Sequence, residues 1–352
     1  MSLIATLMQD FRSDYGGRMD KNELRQSVYG VWDFFQDQSN LGLGLFTPAQ
    51  KAFAAQSFGK TMQIPVYNSE NITISNVRSC TIAPAENTTA LVTLTWATYA
   101  FGFTMIPSQY FNNDIGYQQD FNKKMNDRIL KFASTLDSAG ASKLNNDRDV
   151  FFPASVTSYY PNVGSALQVE SGAEQEDFFN QLDAIMAERD YYGPINIIGS
   201  TRLRPFLNRL RAQGAGNDTN EAFQFSNQRW SFSNRITSGA GVSATLFAVP
   251  DGNVATLSRI DPDCILGHRI GDAKIWGTER LPVVDLEVGT YYTADCSDQS
   301  ALTAGTTGLT RTLTQGFEFS VDICFATSYN SNTATQHSPI LKAEFLNPVV
   351  AP

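Results

Sequence analysis

The chain has little with which to do polar chemistry. Two histidines, His268 and His337, and four cysteines, Cys80, Cys264, Cys296 and Cys324, are all it holds in 352 residues. The cysteines are widely scattered and none stands in a CxxC pair. They indicate neither a zinc site nor a disulfide framework, and they fit a chain made in a reducing cytoplasm. Charged residues make up only 17%, low for a free-standing soluble monomer, and Asn, Gln, Ser and Thr fill the gap. The formal charge of −9 excludes a generic grip on nucleic acid, which needs clustered Lys and Arg to neutralise phosphates. A Walker loop, a G-x-S-x-G elbow, a G-x-G-x-x-G turn and an HExxH pair are all missing. No stretch approaches the roughly 18 consecutive apolar residues of a membrane span. The brief apolar stretch Met1–Met8 runs into Asp10 and Arg12 without a basic lead, so no signal peptide is expected. Internal repeats and low-complexity tracts are absent too.

What is present is a core's worth of apolar residues, 42% of the chain, in an order that changes period several times. The length calls for one large domain or two interleaved ones. Residues 1–58 read as an arm rather than a domain. One helix is signalled there, by an Asp20-x-x-Glu23 capping box and by Leu24, Val28, Val31 and Phe35 on one stripe. It stops in the polar run Asp37–Gly42, and its stripe is too narrow to fold alone.

From Thr61 the period becomes two. Met62, Ile64 and Val66 alternate with polar neighbours, and Ile72, Ile74, Arg78, Cys80 and Ile82 share one face. Ala83–Asn87 reads as a turn, and the return strand carries Val92, Leu94 and Trp96 on one face, then Tyr99, Phe101, Phe103 and Met105 on the other. The phase flips near Ala97, which predicts a bulge or bend where the hairpin leaves its parent domain. So long and apolar a hairpin is stable only against another surface, most simply a second copy of the chain. The expected intersubunit contacts are Ile74, Arg78, Cys80, Val92, Leu94 and Trp96.

A one-sided helix follows over 118–139. Phe121, Met125, Ile129, Phe132, Leu136 and Ala139 step by four, four, three, four and three, and these residues up to Leu136 form its expected core face. Lys123, Lys124, Arg128 and Lys131 cover the rest, a solvated face on the plain reading and a contact to an acidic neighbouring subunit on the other. The helix is expected to close on Ser138–Gly140, with a strand at Val150–Val156. Over 161–310 short helices alternate with strands. Phe178, Leu182 and Ile185 mark a helix behind Glu174 and Glu176, which suit its positive end. Pro194–Ile198 is a buried strand, Leu203–Leu210 a short helix with Pro205 near its start and Gly214 beyond it. Ala244–Val249 and Leu281–Leu286 read as strands, as do Gly316–Tyr329 and Ile340–Leu346.

The best constellation for an active centre is Asp261-Pro-Asp263-Cys264 with His268 and Asp272. Its spacing matches no ligand pattern with a mechanism, and Asp-Pro with Gly267 and Gly271 is the composition of a turn. Gly239-Ala-Gly241 reads as a loop rather than a phosphate cradle. The Asn-x-Thr triplets at Asn71, Asn87 and Asn217 would accept glycans only in a secretory pathway, which nothing else supports. No catalytic, cofactor-binding or metal-binding residue is expected.

The order of arm, extended hairpin, long helix, strand, α/β region and C-terminal strands resembles the major capsid protein of tailed double-stranded DNA phages, the Hong Kong 97 type. Gly59–Val66 entering the hairpin, Ile115–Phe121 before the long helix, and Ile195–Ser200 leading into Leu203–Leu210 carry the likeness. It implies an α+β fold with an N-terminal arm at 1–58, an extended E-loop at 59–106 and a peripheral domain at 107–160 holding the spine helix 118–139. An axial domain at 161–310 and strands at 311–352 returning to the peripheral domain complete it. The implied function is a structural subunit that self-assembles, through hexamers and pentamers, into the icosahedral head shell around packaged DNA. Scaffolding, portal and decoration proteins are the other implied partners. The chain would bind no membrane and read no DNA sequence. It would be assembled in the host cytoplasm and end in the virion. The family often carries a cleaved N-terminal segment of about a hundred residues, for which this chain leaves no room. The family prototype crosslinks its shell through a loop Lys, and here no Lys lies between Lys60 and Lys123, so a shell without covalent crosslinks is expected. An encapsulin-type compartment, which shares the fold and holds enzyme cargo, is the alternative; a hydrolase or carbohydrate-binding module is the more distant one.

Overall fold

The computed structural model describes residues 3–19, 29–41, 44–56, 62–67, 89–110, 113–151, 160–208, 228–299, 310–328 and 337–347. Its helices are α1 (Leu3–Met19), α2 (Gly30–Asn40), α3 (Pro48–Gln56), α4 (Asp114–Asn146), α5 (Ala173–Ala187) and the short α6 (Pro262–Leu266). The strands are β1 (Gln63–Tyr67), β2 (Thr89–Thr93), β3 (Ala97–Met105), β4 (Asn162–Val163), β5 (Ala166–Val169), β6 (Ile195–Ser200) and β7 (Gln228–Ser233). They continue with β8 (Val242–Pro250), β9 (Val254–Arg259), β10 (Arg269–Ile270), β11 (Lys274–Leu281), β12 (Leu286–Gln299), β13 (Thr310–Thr327) and β14 (Leu341–Leu346). The protein is α+β.

Two sheets divide the strands. The first runs β10-β11-β12-β13-β3, with β9 also on β13, and every pairing in it is antiparallel. Helix α4 lies along one face of it. Its stripe of Phe121, Met125, Ile129, Phe132 and Leu136 is buried against Phe103, Met105, Phe317, Phe319 and Val321. The strands present aromatic rings on alternate residues, and these stack with the helix: Phe103 on Phe317 at 5.3 Å and Phe121 at 5.4 Å, Phe101 on Phe319 at 5.1 Å and Phe132 at 5.4 Å. Each fully buried Phe stabilises by about 1.5–3 kcal/mol, so this face alone fixes helix to sheet. Helix α1 adds Ile4, Leu7, Met8 and Phe11, spaced on one helical face, to the same core. Arg12 then anchors it to Glu279 at 2.7 Å.

The second sheet runs β4-β5-β14-β8-β6-β7. Here β5–β14 and β6–β7 pair in parallel and the rest antiparallel. All six residues of β6 are buried. Helix α5 covers the sheet with Phe178, Phe179, Leu182, Ile185 and Met186, and Glu174 and Glu176 stand in its first turn. Helix α2 wedges between the two halves: Val31, Phe34 and Phe35 share a core with Ala141 and Leu144 of α4 and with Ile198, Phe247 and Val249 of the second sheet.

Several sequence-based expectations change. The long helix is Asp114–Asn146, 33 residues, not 118–139. Asn113 caps its start by accepting from the Gly116 N–H at 2.8 Å. Gly140 does not end it but sits where α2 crosses: a Cβ there would meet Val31 Cγ1 at 2.9 Å. The glycine serves a close approach, and the helix continues with Ala141 and Leu144 buried. Leu281–Leu286 is not a strand but the hairpin between β11 and β12, with Leu281 opposite Leu286. Val283 and Asp285 adopt positive φ, 73° and 48°, and Val283 and Val284 are buried, so an apolar turn plugs the core. Trp32 Nε1 and Gln36 Nε2 donate to the Val284 carbonyl at 3.2 and 2.8 Å, which holds that turn in place.

The division at 161–310 and 311–352 also does not follow the sheets. Strands β9–β12 lie in the first sheet with β3 and β13, and β14 lies in the second between β5 and β8. Helix α2 begins at Gly30, where a Cβ would run into the Phe232 carbonyl. The expected cap at Asp20 and Glu23, with Leu24 and Val28, falls outside the described residues, as do 152–156 of the strand expected at Val150–Val156, Leu210 and Gly214.

Candidate assembly interface

The segment with no place in either sheet is the ribbon β1–β2. Its register runs from Gln63↔Thr93 to Tyr67↔Thr89, and among the described residues its strands pair only with each other. Leu91 on the ribbon is 64% exposed. Two strands alone are marginal in water. Of the contact residues expected from sequence, Ile74, Arg78 and Cys80 lie outside the described residues, and Val92 is placed on β2 by its backbone alone. Leu94 and Trp96 are half-buried against their own subunit, packed on Ala255, Leu257, Cys324 and Ala326.

This corrects the expected extent of the hairpin. The strand pairing ends at Thr93 with one further backbone bond at Leu94, and β3, expected in the arm to 106, is a strand of the first sheet from Ala97 onward. Tyr99 and Phe101 therefore pack under α4 in their own chain. The apolar phase flips here because Trp96 packs in the cluster of Ala255, Leu257 and Cys324 while Tyr99 packs in the core that holds α4.

An ion pair and a hydroxyl secure the root of the ribbon. Arg259 on β9, Asp322 on β13 and Thr98 on β3 are register partners across three neighbouring strands. Arg259 Nε donates to Asp322 Oδ2 at 2.9 Å and Thr98 Oγ1 donates to Oδ1 at 2.6 Å. The guanidinium lies 4.3 Å from the Trp96 ring centroid. Such a stacked cation contributes about 0.5–2 kcal/mol when partly desolvated.

A second joint ties α2 to the spine. The Asp137 carboxylate is fully buried and accepts from the Val31 and Trp32 N–H groups, the start of α2, at 2.9 and 3.0 Å. Ser233 Oγ of β7 donates to its other oxygen. Burial pushes the Asp137 carboxyl above the usual carboxylate range, against the lowering effect of these donors. In the sequence it could have been noticed as an acidic residue four past Ala133 and seven before Leu144, both apolar.

The basic residues of α4 do not all face solvent. Arg128 Nε donates to the Gly102 carbonyl at 2.9 Å and Lys124 Nζ to the Thr104 carbonyl at 3.3 Å. They cover the outer edge of β3, where an open strand would otherwise invite pairing. Lys123 and Lys131 are exposed.

The Asp261–Asp272 constellation is a capped turn. Asp261 accepts from the Asp263 N–H at 3.0 Å, and Gly267 closes α6 in the left-handed region at φ 67°. Cys264 is buried under it, its thiol pushed up to about 11 by burial. His268 stands 3.2 Å from Asp263, and Asp272 pairs with Arg269. No group of three metal-ligating side chains occurs among the described residues, and no helix among them is long and apolar enough to cross a membrane.

No family model matches the chain, and no curated protein does. Among solved structures it is similar to one from Mycobacterium phage Che8, at 10% identity over 87% of this chain and 90% of that one, TM-score 0.46. It is similar as well to one from Mycobacterium phage Adephagia, at 16% identity over 93% and 92%, TM-score 0.43. The cyanophage A-1(L) capsid asymmetric unit gives 11% identity over 85% and 92%, TM-score 0.45.

Proposed function

We propose that the chain is a structural shell subunit, the major capsid protein of a tailed phage, which assembles with copies of itself through hexamers and pentamers into an icosahedral head around double-stranded DNA. One observation carries the reading. The β1–β2 ribbon is anchored at its root to the subunit core yet pairs with neither sheet among the described residues, so its apolar residues call for a surface on another copy. The 33-residue α4 across an antiparallel sheet supplies a stiff body from which such an arm can be presented.

In this reading the peripheral domain is the first sheet with α4, the axial domain is the second sheet with α5, and the ribbon is the intersubunit arm. The protein is a virion component, built in the host cytoplasm, with portal, scaffolding and decoration proteins as further partners. Its net charge of −9 per copy keeps a shell of many copies from adhering to packaged DNA. Many modest contacts, rather than one strong interface, let misplaced subunits leave during growth.

The test is electron microscopy of the purified full chain. Closed particles of uniform size are expected. A chain that stays unassembled or gives only irregular aggregates, with and without crowding agent, sinks the reading. Particles that co-purify with an enzyme and never with DNA point to a cargo compartment instead.

A further inference from the structure

We infer that the take-off angle of the β1–β2 ribbon is set inside each subunit, by a packed joint centred on Trp96, before any neighbour is met. The inference deepens the shell reading, which gives a preset angle its purpose, but its test reads a single chain.

A ribbon joined by a loose hinge would show small or glycine residues between β2 and β3. The connection here is Leu94-Thr95-Trp96, with two large apolar side chains in three residues and no glycine. The ladder of the ribbon extends into it, for the Leu94 N–H donates to the Met62 carbonyl at 2.9 Å. Met62, on the outgoing side, is 4% exposed and shares a core with Phe46, Ala54, Leu257, Cys324 and Ala326, against which Leu94 and Trp96 also pack. Both strands of the ribbon therefore enter the body through one apolar cluster.

The partner of Trp96 is itself immobilised. Arg259 is held by Asp322, and Asp322 by Thr98, on three adjacent strands of the first sheet. The guanidinium under the indole cannot follow the ring without breaking that line. The indole N–H is buried without an acceptor among the described residues, and among these the ring is held by apolar packing and by the guanidinium on its face. Ring-face contact is lost as soon as the ring tilts, which makes the joint stiff against swinging of the ribbon. Helix α3 closes the other side through Ala54.

The experiment is double electron–electron resonance on the unassembled full chain isolated by size exclusion. Spin labels at Leu91→Cys on the ribbon and Lys131→Cys on α4 are placed in a Cys80→Ser, Cys296→Ser background and diluted into excess unlabelled chain, so that only distances within one chain count. A single narrow distance distribution is expected, and Trp96→Ala should broaden it several-fold while the far-ultraviolet circular dichroism stays unchanged. Arg259→Lys, which keeps the charge and the pairing to Asp322 but loses the planar stack, should broaden it as well. A broad distribution in the parent chain overturns the inference outright, even where a variant fails to fold. So does a distribution that stays narrow in both folded variants. If the distribution is narrow and no particles form, the joint stands and the shell reading falls.

Discussion

Asp137 is ionisable and buried, and it sits where helix α2 begins, so its protonation is coupled to the docking of that helix. Burial raises its folded-state pKa above the ordinary value of 3.8. With the folded pKa the higher one, the folded state holds more protons in the window above 3.8, and stability contributed by the site falls as pH rises through that window. An Asn in its place keeps two acceptor contacts and a donor to Ser233 without titrating. Wild type is therefore expected to be most stable relative to Asp137→Asn at acid pH. Its advantage should shrink as pH climbs above 3.8 and level off beyond the shifted value; melting temperatures across that range check it, and a gap that widens with pH contradicts it. Gly140 gives a second residue-scale case. In an exposed helix Gly→Ala stabilises by about 1 kcal/mol. At this crossing the added methyl meets a buried Val31 methyl at 2.9 Å, and overpacking of that kind costs about 1–3 kcal/mol. The clash wins, so Gly140→Ala should lower the urea midpoint. The sequence alone makes Gly140 look like a helix stop, because a glycine after an apolar stripe is the usual end signal; only the crossing of α2, more than a hundred residues earlier, explains why it is not.

At the scale of elements, the ribbon and the spine should respond in opposite ways to removal. Met62 and Leu94 face each other at the root, with one backbone hydrogen bond of 2.9 Å between them. Replacing Gln63–Thr93 by Asn-Gly closes the ribbon there as a two-residue hairpin and leaves the joint beneath it intact. This truncated chain is expected to fold, with a melting temperature within a few degrees of the parent on the scale of about 1 kcal/mol, and to form no closed particles. Complete aggregation of the truncated chain would show the ribbon to be part of the core. The spine and the ribbon were legible in the sequence for the same reason: each keeps one period long enough to be counted, 3.6 in α4 and two in the strands. Phe317 to Phe325 and Phe178 to Ile185 were legible on those grounds too. The plug at Val283 and Val284 was not, since an apolar run of six gives no sign that its middle turns. Nor was the place of β14, because a strand's neighbours are chosen by long-range packing that a single alternating pattern does not encode. The residues expected at the interface divided the same way: local alternation marked Leu94 and Trp96 as apolar contacts, but they pack in their own subunit, where Arg259 and Asp322, far along the chain, hold Trp96.

For the whole molecule, the expected shell is held by burial and strand pairing alone. The extended segment carries no Lys between Lys60 and Lys123, and Lys60 itself lies outside the described residues. Without an amine on it, the arm cannot supply the nucleophile of an isopeptide bond to a neighbour. Mature particles boiled in denaturant with reductant should give one band at 38.8 kDa, and a ladder of multimers would falsify this.

The path of the chain through the two sheets has a thermal consequence. It lays down β3 in the first sheet, β4–β8 in the second, β9–β13 in the first again and β14 in the second. The two sheets are joined besides by α2, whose Val31, Phe34 and Phe35 share one core with Ala141 and Leu144 of α4 and with Ile198, Phe247 and Val249 of the second sheet, so melting either sheet opens that core. Two lobes that look separable in space are thus one cooperative unit in heat. A calorimetric scan of the unassembled chain should show a single endotherm whose van't Hoff and calorimetric enthalpies agree, rather than two peaks for two lobes.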